Sequence, residues 1–282
     1  MTVLQPLQAL SDTKLGTDMP LPEELASIYG HLQLPPHPDR PYLAANFVTT
    51  LDGVVSLDAS GNMGGGEISG FNHNDRMVMG LLRAVADAVI VGAGTLRASP
   101  DHLWAAEYIY PPLASAYKRL RANLGKREPP LNVFVTARGE LDPDMRVFRS
   151  GEVPVLIVTT ADGMRRMQNT GLPSSVEISR IDTGGMLSAR AIVESVSRVR
   201  RSDVILIEGG PHLMASFFAE QLLDELFLTL APQVAGRNHL AERPGLVSGR
   251  SFAPENPLWG TLVSVKCGGS HLFLRYRFRQ WE

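Results

Sequence analysis

Val204-Ile205-Leu206-Ile207 is an apolar run that passes straight into Glu208-Gly209-Gly210-Pro211-His212-Leu213. The run is short, rich in β-formers and bounded by turn residues, so it reads as a buried strand with an acidic residue at its carboxyl end. Two glycines let the backbone turn tightly and approach a ligand closely. Pro211 suits a first helical position, and Leu213, Met214, Phe217 and Phe218 supply an apolar helical face. Strand, glycine turn and helix start together make a place for phosphate, because unpaired N–H groups and the helix dipole point there. Alone, the same residues are equally an ordinary strand-to-helix connection.

A second element of this kind is Asp87-Ala88-Val89-Ile90-Val91-Gly92-Ala93-Gly94-Thr95, which lacks the third glycine of the dinucleotide fingerprint. Thr136-Ala137-Arg138 closes the strand Asn132 to Thr136, and Thr159 closes the strand Val153 to Thr159. A hydroxyl beside a guanidinium at a strand end suits a phosphate monoester, such as the 2′-phosphate that separates NADP from NAD. Further strands are expected at Tyr42 to Thr49, Val176 to Ile181 and Glu225 to Pro232, and helices at Glu23 to His31, Asp75 to Ala86 and Ser188 to Arg200. Gly61, Gly64, Gly65 and Gly66 mark a glycine-rich loop, and Thr261 to Lys266 with His271 to Phe278 reads as a hairpin around Gly268-Gly269. The expected fold class is α/β: a mostly parallel mixed sheet, helices on both faces and a C-terminal antiparallel hairpin. Residues 1–40, punctuated by prolines, read as an extension, and residues 41–282 as one domain.

Bulk properties exclude several alternatives. Twenty-seven basic against 29 acidic side chains give a net charge of −2, no footprint for nucleic acid or an anionic membrane. One cysteine, Cys267, permits neither an intrachain disulfide nor a Cys-rich zinc site, and the seven histidines show no metal spacing. No signal peptide is evident and no apolar run approaches the roughly 20 residues needed to span a bilayer, so a soluble, cytoplasmic protein without metal is expected. His73, His102 and His212 could each be a proton donor, and each is equally a solvent-facing residue.

The ordered set Thr50-Leu51-Asp52-Gly53, Val89 to Thr95, Ile207 to Pro211, Asp224-Glu225-Leu226 and Ala231-Pro232 with Gly236 resembles the reductase domain of riboflavin biosynthesis, over about Pro41 to Phe278. That family is similar in fold to dihydrofolate reductase. Its bifunctional members carry a zinc deaminase domain, whose His-x-Glu and Pro-Cys-x-x-Cys signature is absent from this sequence. The resemblance implies a homodimeric, NADPH-dependent reductase that opens the ribosyl group of a ribosylaminopyrimidine phosphate to ribityl by hydride transfer. It implies NADPH contacts at Gly94, Thr95, Thr136, Arg138, Thr159, Glu208, Gly209, Gly210, Pro211, His212 and Leu213. Asp52 and Glu208 are then expected at the reacting centre, and Thr50, Asp52, Arg97 and Trp104 at the substrate; the Trp104 ring could stack on a flat substrate or pack locally.

Two departures keep the substrate open. Val54 stands where members acting on the phosphorylated pyrimidine have a lysine, and no arginine follows Pro100. A reductase of a pterin or another small imine or carbonyl, and a non-catalytic NADPH-binding protein, are the alternatives. The basic cluster Lys118, Arg119, Arg121, Lys126 and Arg127 reads as a solvated helix face. The segment Asp224 to Pro232 and the hairpin carry more Leu, Phe and Val than a sheet edge should expose, which fits a dimer surface or an internal position. The resemblance also implies a cis peptide between Gly209 and Gly210.

Overall fold

The computed structural model describes residues 4–14, 16–57, 65–168, 170–181, 187–238 and 243–278. In chain order its first elements are β1 (Gln8–Asp12), β2 (Thr17–Asp18), α1 (Glu23–Tyr29), β3 (Gln33–Leu34), β4 (Tyr42–Thr49), α2 (Gly65–Ser69), α3 (His73–Val85) and β5 (Ala88–Gly92). There follow α4 (Ala93–Ala98), α5 (Ala106–Ile109), α6 (Ala114–Asn123), β6 (Leu131–Thr136), α7 (Arg146–Arg149), β7 (Val155–Thr159), α8 (Ala161–Met167) and β8 (Val176–Arg180). The last are α9 (Ala189–Val199), β9 (Val204–Gly209), α10 (Pro211–Ala219), β10 (Glu225–Leu230), β11 (Thr261–Gly268) and β12 (His271–Arg277). Gly61 and Gly64 of the expected glycine-rich loop lie outside the described residues, and Gly65 and Gly66 open α2.

One ten-stranded sheet has the order β1-β11-β12-β10-β4-β9-β5-β6-β7-β8. From β10 to β8 every neighbouring pair is parallel, and β12, β11 and β1 add the antiparallel end. This is the mixed α/β architecture that alternation and the terminal hairpin predict. All eight residues of β4 and all six of β6 are buried, as strands covered on both faces must be. Successive side chains alternate between two cores: Val89, Val91 and Leu206 meet α3 on one face, while Ile90, Ile205 and Ile207 meet α9 and α10 on the other. The strand β9 enters between β4 and β5, so the chain's direction of growth reverses there. Ligand clefts of open parallel sheets form at such a reversal.

Helix α3 is fixed at both ends. Asn72 caps its start, its side chain accepting from the N–H groups of Asn74 at 2.9 Å and Asp75 at 3.1 Å. At the other end Arg121 donates to the carbonyls of Ala84 at 3.0 Å and Ala86 at 2.8 Å, and Lys126 to that of Val85 at 2.7 Å. Cations satisfy the last carbonyls and oppose the helix dipole. The basic cluster is therefore only partly a solvated face: Lys118, Arg119 and Arg127 are exposed, whereas Arg121 is buried and Lys126 half-buried.

The apolar segment β10 lies inside the sheet between β12 and β4, and the outer edge of β11 is covered by β1. These strands are therefore internal to the sheet rather than at its edge, although Leu230, Val265, Leu272 and Leu274 on them remain only half-buried. Their buried charges are paired. Arg275 contacts Glu225 at 2.7 Å and donates to the Gln33 carbonyl at 2.9 Å, and Lys266 donates to the Tyr29 carbonyl at 2.7 Å. Two buried cations of the hairpin are thus satisfied by carbonyls from the first forty residues.

Candidate active site

At the carboxyl edge of β4, β9, β5 and β6 a cleft of about 1050 Å³ opens. The two glycine turns meet on its floor. A side chain on Gly209 would place its Cβ 2.6 Å from the Thr95 hydroxyl, and one on Gly92 would come within 3.4 Å of the Gly209 carbonyl oxygen. Bare backbone is what lets these turns close on each other. Gly210 makes the corner with φ +86° and ψ 115°, and Pro211 opens α10 with no side chain capping it. The start of α10 therefore faces the cleft as a site for an anion.

A register shift in the β5–β9 pairing, from Ile90 opposite Ile207 to Val91 opposite Gly209, leaves Glu208 as the extra residue. Such a bulge re-aims a side chain. The Glu208 carboxylate accepts from Arg83 Nε at 2.9 Å and Nη2 at 2.7 Å, and the two side chains are only 4% and 2% exposed. Arg83 Nη1 also lies 3.0 Å from His102 Nε2. A guanidinium only donates, so Nε2 is the acceptor and the imidazole is neutral. Burial, then the charges of Arg83 and Arg76, push the His102 pKa down to about 2. His102 is half-buried in the cleft, whereas His73 and His212 are exposed.

Gly94, Thr95, Arg97, Trp104, Thr136, Arg138 and the run Glu208, Gly209, Gly210, Pro211, His212 and Leu213 all line the cleft. Trp104 does so only with its edge. Its ring packs edge-on against His102 and Phe134 and is 2% exposed, so local packing, and not a face for a flat substrate, is what the structure has. Thr159, Thr50 and Asp52 are not brought to the cleft. Thr159 lies on β7, beyond β6, and is fully buried. Thr50 donates to Asp52 at 2.5 Å and accepts from the Val54 N–H at 2.9 Å. The Asp52 carboxylate accepts from the N–H groups of Ala235 at 3.1 Å and Gly236 at 2.8 Å. Bonding to Thr50 and to these amides holds its pKa down at about 2. Asp52 thus ties the loop after β10 to the turn after β4. Val54 is fully buried.

Among the described residues the one cis peptide is Ala253–Pro254, so the Gly209–Gly210 bond is trans. The left-handed φ of Gly210 makes the corner that a cis bond was expected to make.

Sequence reasoning missed Arg83, Asp75, Arg76 and Phe71 as cleft residues. A charged Arg83 within the apolar run of α3 was the available signal. Phe71 carries another: it is 57% exposed with φ +55°, an uncommon conformation for a side-chain-bearing residue.

The family model of the RibD C-terminal domain matches residues 41–264. The chain is similar to the 2,5-diamino-6-ribosylamino-4(3H)-pyrimidinone 5′-phosphate reductase of Archaeoglobus fulgidus, 25% identical over 215 residues that cover 76% of this chain and 89% of that one. Its fold is similar to a pyrimidine reductase-like protein from Corynebacterium diphtheriae, with TM-score 0.63 and 22% identity over 86% of this chain and 93% of that one. The same TM-score and identity hold for the diaminohydroxyphosphoribosylaminopyrimidine deaminase/5-amino-6-(5-phosphoribosylamino)uracil reductase of Thermotoga maritima, of whose length this chain spans 57%.

Proposed function

The chain belongs to the RibD C-terminal domain family, and on that premise we propose that it is a riboflavin-biosynthesis-type reductase, converting the ribosyl group of a ribosylaminopyrimidine phosphate to ribityl with NADPH. One observation carries the cofactor reading: two glycine turns interlock at the sheet's carboxyl edge, and an uncapped helix start opens into the same cleft. Bare backbone at Gly209 and Gly210 fits a pyrophosphate lying close, and the N–H groups at the start of α10 fit its charge. Arg138, exposed at the cleft beside Thr136, suits the 2′-phosphate. The bound nicotinamide would supply the hydride, and the protein the orientation and charge.

The substrate phosphate, for which the sequence offers neither the lysine nor the arginine, has a candidate partner in Arg76. Its side chain lines the cleft and has no hydrogen-bond or ion-pair partner among the described residues. This cation favours a phosphorylated substrate over a neutral one. Glu208, locked by Arg83, keeps its role at the reacting centre as a fixed negative charge.

The reading includes a cytoplasmic homodimer. Leu230, Leu272, Leu274 and Val265 share one face of β10, β12 and β11, are only half-buried and belong to neither core. A second copy would cover them. Cofactor binding tests the whole proposal: saturable NADPH binding by calorimetry is expected, with NADH weaker. Arg138→Ala should narrow that preference by roughly tenfold, the loss of one charge-assisted contact. Absence of saturable NADPH binding would overturn the reading.

A further inference from the structure

Reduction of a ribosylamine proceeds on its open form, an imine, whose carbon takes a hydride and whose nitrogen takes a proton. The cleft's polar groups differ in what they can give. Glu208 is an acceptor for Arg83, and His102 is neutral with Nε2 turned to the same guanidinium. The Tyr108 hydroxyl donates to the Asp101 carbonyl at 2.9 Å. His212 is exposed, on the opposite side of the sheet from α3.

Asp75 is unlike these. It sits in the first turn of α3, which runs back against the strands and so brings that turn to the same edge as the glycine turns. It lines the cleft yet is only 5% exposed. Around it stand Ser69 from α2, Thr229 from β10, His271 from β12 and Glu208 from β9, with Arg76 next in sequence. Burial raises its pKa above the usual carboxylate range. Hydrogen bonds with Thr229 and Ser69 and the charge of His271 oppose that rise, and the nearby Glu208 charge reinforces it. A carboxyl held in this way binds its proton more tightly than an exposed one, beside a cleft that otherwise presents acceptors and fixed cations.

We propose that Asp75 is the proton donor of this reductase, giving its carboxyl proton to the substrate nitrogen as a hydride from reduced nicotinamide reaches the neighbouring carbon. The inference rests on the reductase reading above. In the step the C=N π pair becomes the new N–H bond, the carbon gains its C–H bond from the hydride pair, and Asp75 is left as a carboxylate. Solvent at the open cleft returns the proton.

Asp75→Asn keeps the shape and the contacts with Ser69 and Thr229 but has no acidic proton. Its turnover should fall at least about 100-fold while its NADPH Kd stays within about twofold of the parent. The parent's kcat should fall as pH rises through the Asp75 titration, and Asp75→Glu should retain that limb at a shifted pH. Infrared difference spectra of the ligand-free protein should show a protonated-carboxyl band near neutral pH that Asp75→Asn lacks. Folding is checked by the linkage. A raised carboxyl pKa stabilises the fold fully below the unfolded value, about 3.9, and that share is lost as pH rises. The melting temperature of Asp75→Asn relative to the parent should therefore climb as pH rises above about 4. Absence of the band, or turnover by Asp75→Asn within about fivefold of the parent, overturns the proposal alone. A parent that binds no NADPH overturns the reductase reading beneath it.

Discussion

The two sides of the cleft are built from different material. The β5–β9 side is backbone: the turns Gly92 to Thr95 and Gly209-Gly210 press together, and α10 starts there uncapped. The α3 side is side chains: Asp75 and Arg83 reach in from one helix, and Arg83 joins Glu208 across 125 residues of sequence. A backbone site can be written in one short motif, since glycine is needed where nothing else fits. A site made of buried charges is written only in pairs of distant residues, each costly without the other.

The contrast can be tested by damaging each side. The largest effect is expected at the ion pair. Arg83→Met would leave Glu208 buried and uncompensated and should lower stability by about 3–5 kcal/mol, read from denaturant midpoints. Arg83→Met combined with Glu208→Met should recover most of that loss while abolishing turnover. If the single variant unfolds at the parent's midpoint, the side-chain half is not held as described.

A smaller effect belongs to the backbone side. Gly209→Val drives a Cβ against Thr95, and overpacking of about 1–3 kcal/mol would weaken NADPH binding roughly tenfold to a hundredfold. Calorimetry beside a melting curve separates the two losses, and affinity should fall further than stability. A loss of stability with NADPH affinity within about twofold of the parent's would mean that the turn serves the fold alone.

The smallest effect is a pH dependence at His102, which belongs to the side-chain half. Its folded pKa of about 2 lies far below the roughly 6.5 of an unfolded histidine. The stability it contributes is present above pH 6.5 and is lost as pH falls below that value, because only the unfolded chain then takes up the proton. Between pH 7.5 and 5.5 the parent should lose about 1 kcal/mol more than His102→Gln. Equal slopes would place His102 in water.

These differences also explain what could be read in advance. The parallel strands β4, β5, β6, β7 and β9 are legible because burial on both faces demands unbroken apolar runs. Gly92, Gly94, Gly209 and Gly210 are legible because each follows such a run. Asp52 misled for a physical reason: its motif fixes a turn, and the carboxylate bonds amides at 235 and 236, which no local pattern displays. Asp75 was read as part of a helix start, and its chemistry appears only when β10, β12 and β9 close around it. Trp104 looked like a loop aromatic and proved to be core, pinned by Asn132, whose side chain bonds both its N–H and its carbonyl.

The match to the family begins at residue 41, while β1 and α1 lie before it. The stretch inherited in common and the stretch that folds together are therefore different lengths of chain. Lys266 and Arg275 lie on the far side of this mismatch, with the carbonyls of Tyr29 and Gln33 completing their coordination from outside the shared stretch. A recombination event that moved residues 41–278 without the first forty would carry a buried ammonium stripped of its acceptor. A relative that lacks such a leading segment is expected to carry different residues at these two positions, and covariation between the amino-terminal segment and the hairpin would be the trace of it.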